Sequence, residues 1–292
     1  MQTLFASDLD RTLIYSPAAL WLGDTEDPEL QTIPVLFKEG LLASSMTATA
    51  ARLLAGLPET VRFVPTTARG MDSYRRITMP GAPYEYAITS TGGNILRHGE
   101  QDRDWAATIR RALTDTAPVD IVHGFLSDAA FTWILGLGIT DGLFLHSRIE
   151  RAAMPADWLL ELEARCLAWG WQVSVQGRKL YCTPSPVDKR LAVDEVRRRT
   201  GCSGVIAAGD SLLDKGMLEA ADSAYRPAHG ELAEQGWLAP HLTVTTARGI
   251  RAGEEILQAV THTHTHTHTH TPTHRQDRGR GLRKRVLRTH EP

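Results

Sequence analysis

The chain has 292 residues, of which 42% are hydrophobic, so it is long enough for one large α/β domain or two smaller ones and too apolar to be a disordered chain. It has no run of 18 apolar residues, and its first strand-like run begins almost at the N-terminus, without the charged and apolar regions of a signal peptide. We therefore expect neither secretion nor insertion into a membrane.

The formal net charge of −2 combines two parts of opposite sign. Residues 261–292 contain seven Lys or Arg against two acidic residues, a net of +5, which leaves −7 for residues 1–260. Nucleic-acid affinity depends on clustered basic residues, so only the basic tail could provide it, and weakly. Cys166, Cys182 and Cys202 are odd in number and fit no metal-ligand spacing, which predicts reduced thiols and a cytoplasmic protein.

Strand-like apolar runs alternate with helix-period segments through the first part of the chain and again near its end. This alternation predicts a doubly wound, Rossmann-like parallel sheet with helices on both faces and a ligand site at the carboxyl ends of its strands. The predicted strands are Thr3–Ser7, Val61–Thr66, Tyr86–Thr89, Val205–Gly209, Ser223–Tyr225 and Leu242–Val244. The predicted helices are Thr47–Ala55, Lys189–Thr200, Leu212–Ala220 and Gly249–Val260.

Residues 92–184 have a different pattern, which we interpret as an α+β domain inserted into the first. Its predicted helices are Trp105–Leu113 and Ala156–Trp169. Its predicted strands are Thr132–Leu137, Leu143–His146, Gln172–Gln176 and Lys179–Thr183, the last two forming a hairpin. The tryptophans of this region either pack in its core or stack on a sugar; they are Trp133, Trp158, Trp169 and Trp171.

Two further segments fit neither pattern. Residues 15–40 contain an acidic stretch and three prolines, and predict a long irregular excursion that is either functional or disordered. From Thr261, threonine alternates with histidine before the sequence becomes rich in arginine, and such a repeat has no apolar face to bury. We predict a disordered tail over residues 261–292, with a metal-binding role for its histidines and no role as equal alternatives.

Two carboxylates one residue apart, Asp8 and Asp10, follow the first predicted strand. Side chains alternate along a strand, so both point to the same side, about 7 Å apart. Like charges this close repel each other unless a cation lies between them or one keeps a proton. The pair therefore indicates a metal site, an acid/base site or both.

Polar residues also follow other predicted strands. Thr66 and Thr67 lie beside a helix start, where a hydroxyl and free N–H groups can hold a phosphate oxygen. Lys189 opens a helix and offers a positive charge to an anion. Asp210 ends a strand and Asp214 comes one helical turn later, a spacing of carboxylates that suits a hard cation.

In this order the motifs resemble those of the haloacid dehalogenase-like (HAD) phosphohydrolases, specifically the Cof-type and sucrose-phosphatase-like subgroup with a large C2-type α/β cap. The resemblance covers residues 3–260. It implies a core formed by residues 1–91 and 185–260, with an inserted cap over residues 92–184. It also implies a Mg²⁺-dependent phosphatase, a phosphoric monoester hydrolase, that acts on a small phosphorylated metabolite, with a sugar phosphate as the best guess.

The resemblance also implies residue roles. Asp8 would be the nucleophile that forms an aspartyl-phosphate, and Asp10 the acid that protonates the leaving oxygen and then the base that activates water. Residues expected to bind the substrate or its phosphate are Thr67, Arg69, Lys189, Gly92 and Gly93. Residues expected to hold Mg²⁺ are Asp8, Asp10 through its backbone carbonyl, Asp210, and Asp214 as a ligand or as an orienter of bound water.

Three questions stay open: the function, the phosphate-binding threonine and the position of Arg11. A phosphotransferase or phosphomutase would use the same Asp8 nucleophile, whereas a non-catalytic metal- or nucleic-acid-binding protein would act through the tail. Thr66 competes with Thr67 for the phosphate-binding role. Arg11 stands where many relatives have glycine, and its side chain either contacts a substrate or points to solvent. No oligomeric state is predicted.

Overall fold

The computed structural model describes residues 2–266. Its strands are β1 (Thr3–Ser7), β2 (Thr32–Lys38), β3 (Leu41–Thr47), β4 (Val61–Pro65), β5 (Tyr86–Thr89), β6 (Asn94–Arg97), β7 (Glu100–Gln101), β8 (Ile134–Thr140), β9 (Phe144–Ile149), β10 (Trp171–Gln176), β11 (Lys179–Pro184), β12 (Gly204–Ala208), β13 (Ser223–Arg226) and β14 (Leu242–Val244). Its helices are α1 (Ala48–Ala55), α2 (Met71–Arg75), α3 (Arg103–Ala112), α4 (Val119–Leu126), α5 (Ala156–Ala168), α6 (Lys189–Thr200), α7 (Leu212–Ala220), α8 (Glu231–Glu234) and α9 (Ile250–His266). Within these residues no helix combines the length and the apolar composition that a membrane crossing requires.

A five-stranded parallel sheet of order β14-β13-β12-β1-β4 forms the centre of the molecule, which confirms the predicted doubly wound fold. The middle of β1 is buried from both sides because successive side chains of a strand point to opposite faces. Leu4 and Ala6 pack in one hydrophobic cluster, and Phe5 packs in a second cluster. β5 belongs to a small separate sheet with β6 and β7, and a single bridge between Thr66 and Ile88 connects it to the end of β4.

The register of the central strands brings three loops to one edge of the sheet. Ser7 pairs with Pro65 of β4 and with Ala208 of β12 in parallel register. The residues that follow these three positions therefore leave the sheet at the same edge. This edge contains the predicted residues Asp8, Thr67 and Asp210.

Residues 15–40 are more regular than the sequence predicts. β2 occupies the second half of this segment and pairs with β3 in an antiparallel hairpin. The register shifts between Pro34 and Leu36 and again between Leu36 and Phe37, so the strand lacks the strict alternation by which strands are recognised. The description of the whole segment as an irregular excursion is therefore wrong for its second half.

A second, four-stranded antiparallel sheet of order β10-β11-β9-β8, here called the cap sheet, is covered on one face by α4 and α5. The interface between sheet and helices is a hydrophobic cluster around Leu145, Leu162 and Trp171. All four tryptophans considered for sugar stacking belong to this cluster: Trp133, Trp158, Trp169 and Trp171. The packing therefore favours the alternative in which they are core residues of the cap.

Helix α3 lies within the predicted cap boundaries but packs with the central sheet. Its buried residues Trp105 and Ile109 belong to the same cluster as Ile88 and Val193 of the core. We therefore propose that the cap begins near Thr116 rather than at residue 92, because a domain is defined by the core that its side chains share.

Helix α9 continues six residues beyond its predicted end at Val260, into the Thr-His repeat. Thr and His have only moderately unfavourable helix propensities, so a formed helix can extend over a few of them at small cost. The remaining repeat and the arginine-rich segment, for which disorder and metal or anion binding are predicted, lie outside the described residues.

Candidate active site

The nucleophile predicted from the sequence, Asp8, lies directly after β1 and is 6% exposed. Its backbone N–H donates to the carbonyl of Ala208 at 2.8 Å, which continues the pairing between β1 and β12 by one residue. The chain then turns tightly, because the N–H groups of Leu13 and Ile14 both donate to the carbonyl of Leu9. Thr12 donates its hydroxyl to Asp8 Oδ2 at 3.3 Å, so it supports this turn.

Lys189 joins two of the predicted acidic residues. Its Nζ donates to Asp8 Oδ1 at 2.7 Å and to Asp214 Oδ1 at 2.5 Å, and its side chain is almost fully buried. Burial alone would lower the pKa of Lys189, but the charges of Asp214 and Asp8 raise it above its usual value. The lysine is therefore a fixed positive charge beside Asp8.

Gly92 and Gly93 are both closely packed, and Gly92 contacts the start of the helix that carries this lysine. A Cβ on Gly92 would lie 2.2 Å from the carbonyl oxygen of Asp188, and one on Gly93 would lie 2.4 Å from the side chain of Leu143. Asp188 caps the N-terminus of α6, and Lys189 is the first residue of that helix. The close packing accounts for Gly92 as a positioning residue for Lys189 and for Gly93 as a packing residue against Leu143, and their predicted contact with substrate stays a prediction.

Asp214 is held by donors on both oxygens. Its Oδ2 accepts from the backbone N–H groups of Asp210 and Ser211 and from the hydroxyl of Ser211, at 2.8–3.1 Å. Its Oδ1 accepts from Lys189. A carboxylate with four donors has little capacity left to bind an ion directly, which favours the orienting alternative for Asp214.

Three buried carboxylates form a candidate cation site, since Asp8, Asp210 and Asp214 each place an oxygen within 4.8 Å of the others. Burial raises the pKa of Asp8 to about 7, although the charge of Lys189 opposes the shift. Burial and the charge of Asp8 raise the pKa of Asp210 well above its usual range. Lys189 and the more distant Arg11 supply two positive charges against three carboxylates, so the oxygen donors and their excess negative charge fit a hard divalent cation such as Mg²⁺.

The carboxylate of Asp10 points to a different partner. Arg69 donates from Nε and from a terminal nitrogen to its two oxygens, both at 2.6 Å. Burial would raise the pKa of Asp10, but the hydrogen bonds and charge of Arg69 lower it below its usual value. Arg69, predicted to bind phosphate, therefore holds Asp10 as a carboxylate, and a metal contact of Asp10 through its backbone carbonyl stays a prediction.

The hydrogen bonds of Thr66 and Thr67 distinguish the two candidates for phosphate binding. Thr66 donates its hydroxyl to the carbonyl of Val64 at 3.1 Å. Thr67 instead accepts from the N–H of Arg69 at 3.1 Å, which leaves its hydroxyl proton available for another acceptor. This arrangement favours Thr67.

Arg11 adopts the left-handed conformation, with φ of 66°, which explains why glycine suits this position. Its carbonyl accepts from Nε2 of the buried His229, whose Nδ1 accepts from the N–H of Gly249. Burial lowers the pKa of His229 to about 4, so the imidazole is neutral at pH 7. The side chain of Arg11 reaches toward the carboxylate cluster, with Nε 3.9 Å from Asp210 Oδ2.

Two residues of β11 that the sequence motifs do not include lie near enough to interact electrostatically with the site. Burial raises the pKa of Tyr181, and the charges of Asp10 and Asp8 add to this rise while the charge of Lys179 opposes it. The charge of Lys179 contributes to the low pKa of Asp10. The signal that could have found them is the alternation in β11, where these two residues alternate with the apolar Leu180 and Cys182.

No protein-family model matches the sequence, and no curated protein matches it. Among solved structures, the chain is similar to the sucrose-phosphatase of Synechocystis sp. PCC6803, with 17% identity, coverage of 89% of this chain and 97% of that chain, and a TM-score of 0.62. It is also similar to a trehalose-6-phosphate phosphatase related protein, with 18% identity, coverage of 91% and 100%, and a TM-score of 0.50.

A third similar structure is a phosphatase of the HAD superfamily from Bacteroides thetaiotaomicron, with 13% identity, coverage of 90% of this chain and 95% of that chain, and a TM-score of 0.51. Coverage in all three cases includes both the parallel core and the additional antiparallel sheet region. The chain therefore has the fold of the HAD phosphatases, a doubly wound core with a cap.

Proposed function

We propose that the protein is a Mg²⁺-dependent phosphatase that hydrolyses a small phosphorylated metabolite through an aspartyl-phosphate on Asp8. The observation that carries the proposal is the buried arrangement of Asp8, Lys189 and Asp214, with Asp210 beside them, at the carboxyl edge of the parallel sheet. A carboxylate attacking a phosphate dianion meets charge repulsion, and a fixed cation on the nucleophile reduces it.

The carboxylates Asp8 and Asp210 would hold the metal together with the Asp10 carbonyl, while Asp214 orients the surrounding groups. Bound Mg²⁺ supplies charge neutralisation between these carboxylates and the phosphoryl oxygens. Lys189 and Thr12 together orient Asp8, because Lys189 Nζ donates to Oδ1 and the Thr12 hydroxyl donates to Oδ2.

In the first step an oxygen of Asp8 attacks phosphorus, the bond from phosphorus to the ester oxygen breaks, and that oxygen takes a proton from Asp10. In the second step water attacks the aspartyl-phosphate, gives a proton to Asp10, and releases inorganic phosphate and free Asp8. The hydroxyl of Thr67, which accepts from the N–H of Arg69, donates its own hydrogen bond to a phosphoryl oxygen during both steps.

The first step requires a proton on Asp10, which the two hydrogen bonds from Arg69 oppose. A phosphoryl dianion is a competing acceptor for the same guanidinium, because arginine binds phosphate in the same two-pronged way as carboxylate. We propose that substrate binding draws Arg69 from Asp10 and allows Asp10 to take up the proton that it later donates.

A sugar phosphate is the proposed substrate class. One similar structure is a sucrose-phosphatase with sucrose and phosphate bound, and another is related to trehalose-6-phosphate phosphatase. The cytoplasm stays the predicted location.

The test is release of inorganic phosphate from phosphate esters in Mg²⁺ by purified protein. Asp8→Asn removes the nucleophilic oxygen and is expected to reduce kcat at least about a thousandfold. The matched control Asp72→Asn makes the same chemical change on a side chain that is 97% exposed, and kcat is expected to stay unchanged. Full activity in Asp8→Asn would show that another group is the nucleophile.

A further inference from the structure

The face of the cap sheet that α4 and α5 leave uncovered carries basic residues that the proposed reaction does not use. In β11, Leu180 and Cys182 belong to the cluster under the helices. Because side chains alternate along a strand, Lys179 and Tyr181 lie on the opposite face. Lys179 is exposed, whereas Tyr181 is partly buried.

The neighbouring strand β9 repeats this arrangement. Leu145 and Ile149 pack under the helices. His146 and Arg148 therefore lie on the uncovered face, and both are exposed. Two adjacent strands thus place polar and basic side chains on the same surface.

The strand register aligns these residues in pairs. Lys179 lies directly opposite Arg148, and Tyr181 lies directly opposite His146. Within residues 2–266 neither Lys179 nor Arg148 has a carboxylate at ion-pair distance. Like charges directly opposite each other on a sheet are destabilising, so an anion between them would remove an existing repulsion.

The second pair connects this basic pair to the active site. Tyr181 is close enough to Asp8 and Asp10 for their charges to act on it. Its neighbour in β10, Ser174, donates to Glu231 Oε2 at 3.1 Å, and this glutamate also accepts from the N–H of Leu212 at 2.9 Å. The cross-strand neighbours Ser174, Tyr181 and His146 are therefore fixed against the core. The pair of Lys179 and Arg148 lies two residues along the same strands, about 7 Å away on the same face.

We propose that the leaving group of the substrate carries a second anionic group, a carboxylate or a phosphate, which Lys179 and Arg148 bind while Asp8 attacks the first phosphate. The inference rests on the proposed phosphatase activity and narrows its substrate class. Neutral sugar hydroxyls would leave the two cations unpaired, whereas an anion forms charge-assisted hydrogen bonds with both.

Three probes of similar size test the inference: glucose 6-phosphate with one anionic group, 6-phosphogluconate with an added carboxylate, and glucose 1,6-bisphosphate with an added phosphate. Phosphate release by the wild-type protein gives kcat/KM for each probe, and calorimetric titration of Asp8→Asn in Mg²⁺, where turnover is not expected, gives the Kd of each. We expect at least one two-anion probe to be preferred about tenfold or more in both measurements. The preferred probe identifies the second group as carboxylate or phosphate.

Lys179→Gln and Arg148→Gln are each expected to reduce this preference about tenfold. The control Arg165→Gln removes a cation from α5, on the covered side of the cap sheet, and is expected to leave the preference unchanged. Any of three results would overturn the inference: equal affinity of Asp8→Asn for all three probes, no binding of any of them up to about 10 mM, or an unchanged preference in both variants.

The two measurements separate this inference from the proposed function. Selective binding that depends on Lys179 and Arg148 without phosphate release would contradict the phosphatase proposal alone. Phosphate release with equal rates on the three probes would support the phosphatase and contradict the second anionic group.

Discussion

At the scale of single residues, the site depends on which polar hydrogens are already donated. Thr66 and Thr67 are adjacent and both buried, yet only Thr67 keeps a hydroxyl proton without an acceptor among the described residues. The sequence cannot predict this difference in hydrogen bonding, because both residues are threonine. In the structure the two differ, because the carbonyl of Val64 accepts the proton of Thr66 whereas the hydroxyl of Thr67 accepts from the N–H of Arg69.

Thr67→Val and Thr66→Val are therefore a matched pair of nearly isosteric changes. We expect Thr67→Val to reduce kcat/KM about a hundredfold, because a donor to the phosphoryl group is lost, and Thr67→Ser to restore most of it. Thr66→Val is expected to cost about 1 kcal/mol of stability with kcat/KM changed less than about threefold. Steady-state kinetics and urea unfolding check both, and similar kinetic losses in the two variants would contradict the assignment.

At the scale of elements, the position of Lys189 depends on how closely β6 and its preceding turn approach the start of α6. Gly92 has a φ of 93° and lies against the backbone of Asp188. Lys189 is thus placed by contact between two backbones, with no side chain between them. A single methyl group added at Gly92, which is distant from Asp8 in sequence, is therefore expected to displace Lys189.

Gly92→Ala tests this contact. We expect a loss of at least about 2 kcal/mol in the free energy of unfolding, from backbone strain and overlap with Asp188, together with a reduced kcat as Lys189 shifts. Gly99→Ala is the control, because Gly99 has a φ of 82° but nothing within 4 Å of an added Cβ. Its expected cost is about 1 kcal/mol, from the positive φ alone, with kcat unchanged. If Gly92→Ala and Gly99→Ala changed the free energy of unfolding and kcat equally, the contact with Asp188 would have no role.

The elements also show what the sequence could and could not predict. Asp8, Lys189, Asp210 and Asp214 were predictable because a parallel sheet brings the carboxyl ends of its strands together. The pairing of Arg69 with Asp10 was not, since it depends on side-chain geometry across 59 residues.

Local irregularity and shared packing account for the other differences. β2 was missed because its register shifts break the alternation of the strand. The later start that we propose for the cap could not come from the sequence, because periodicity identifies α3 as a helix but does not say which core buries Trp105. Lys179 and Arg148 gave no motif, because their alignment exists only in the register of β9 and β11.

At the scale of the whole molecule, distant loops depend on one neutral imidazole. His229 donates to the carbonyl of Arg11 and accepts from the N–H of Gly249, so it joins the nucleophile loop to the start of α9. The folded protein holds the pKa of His229 at about 4, against 6.5 for an unperturbed histidine, mainly through burial. The unfolded chain therefore binds this proton more readily between these two values, and stability falls as the pH decreases through that window.

Comparison of wild type with His229→Gln isolates this contribution. From pH 7 to pH 4 the wild-type protein is expected to lose about 3 kcal/mol more free energy of unfolding than the variant, which has no titrating group at this position. Urea unfolding at several pH values measures the difference, and the carboxylates common to both proteins cancel. Parallel stability curves for the two proteins would show that His229 is not held neutral.

The central place of β1 in the sheet has a consequence for synthesis of the chain. One neighbour of β1, β4, follows within about sixty residues, but the other, β12, begins only at Gly204. A nascent chain that has completed the cap still exposes one edge of β1 and has not yet made Asp210 or Asp214. Asp8 is therefore made well before β12, and the sheet around it is completed late, because contacts between distant parts of a chain are slow to form.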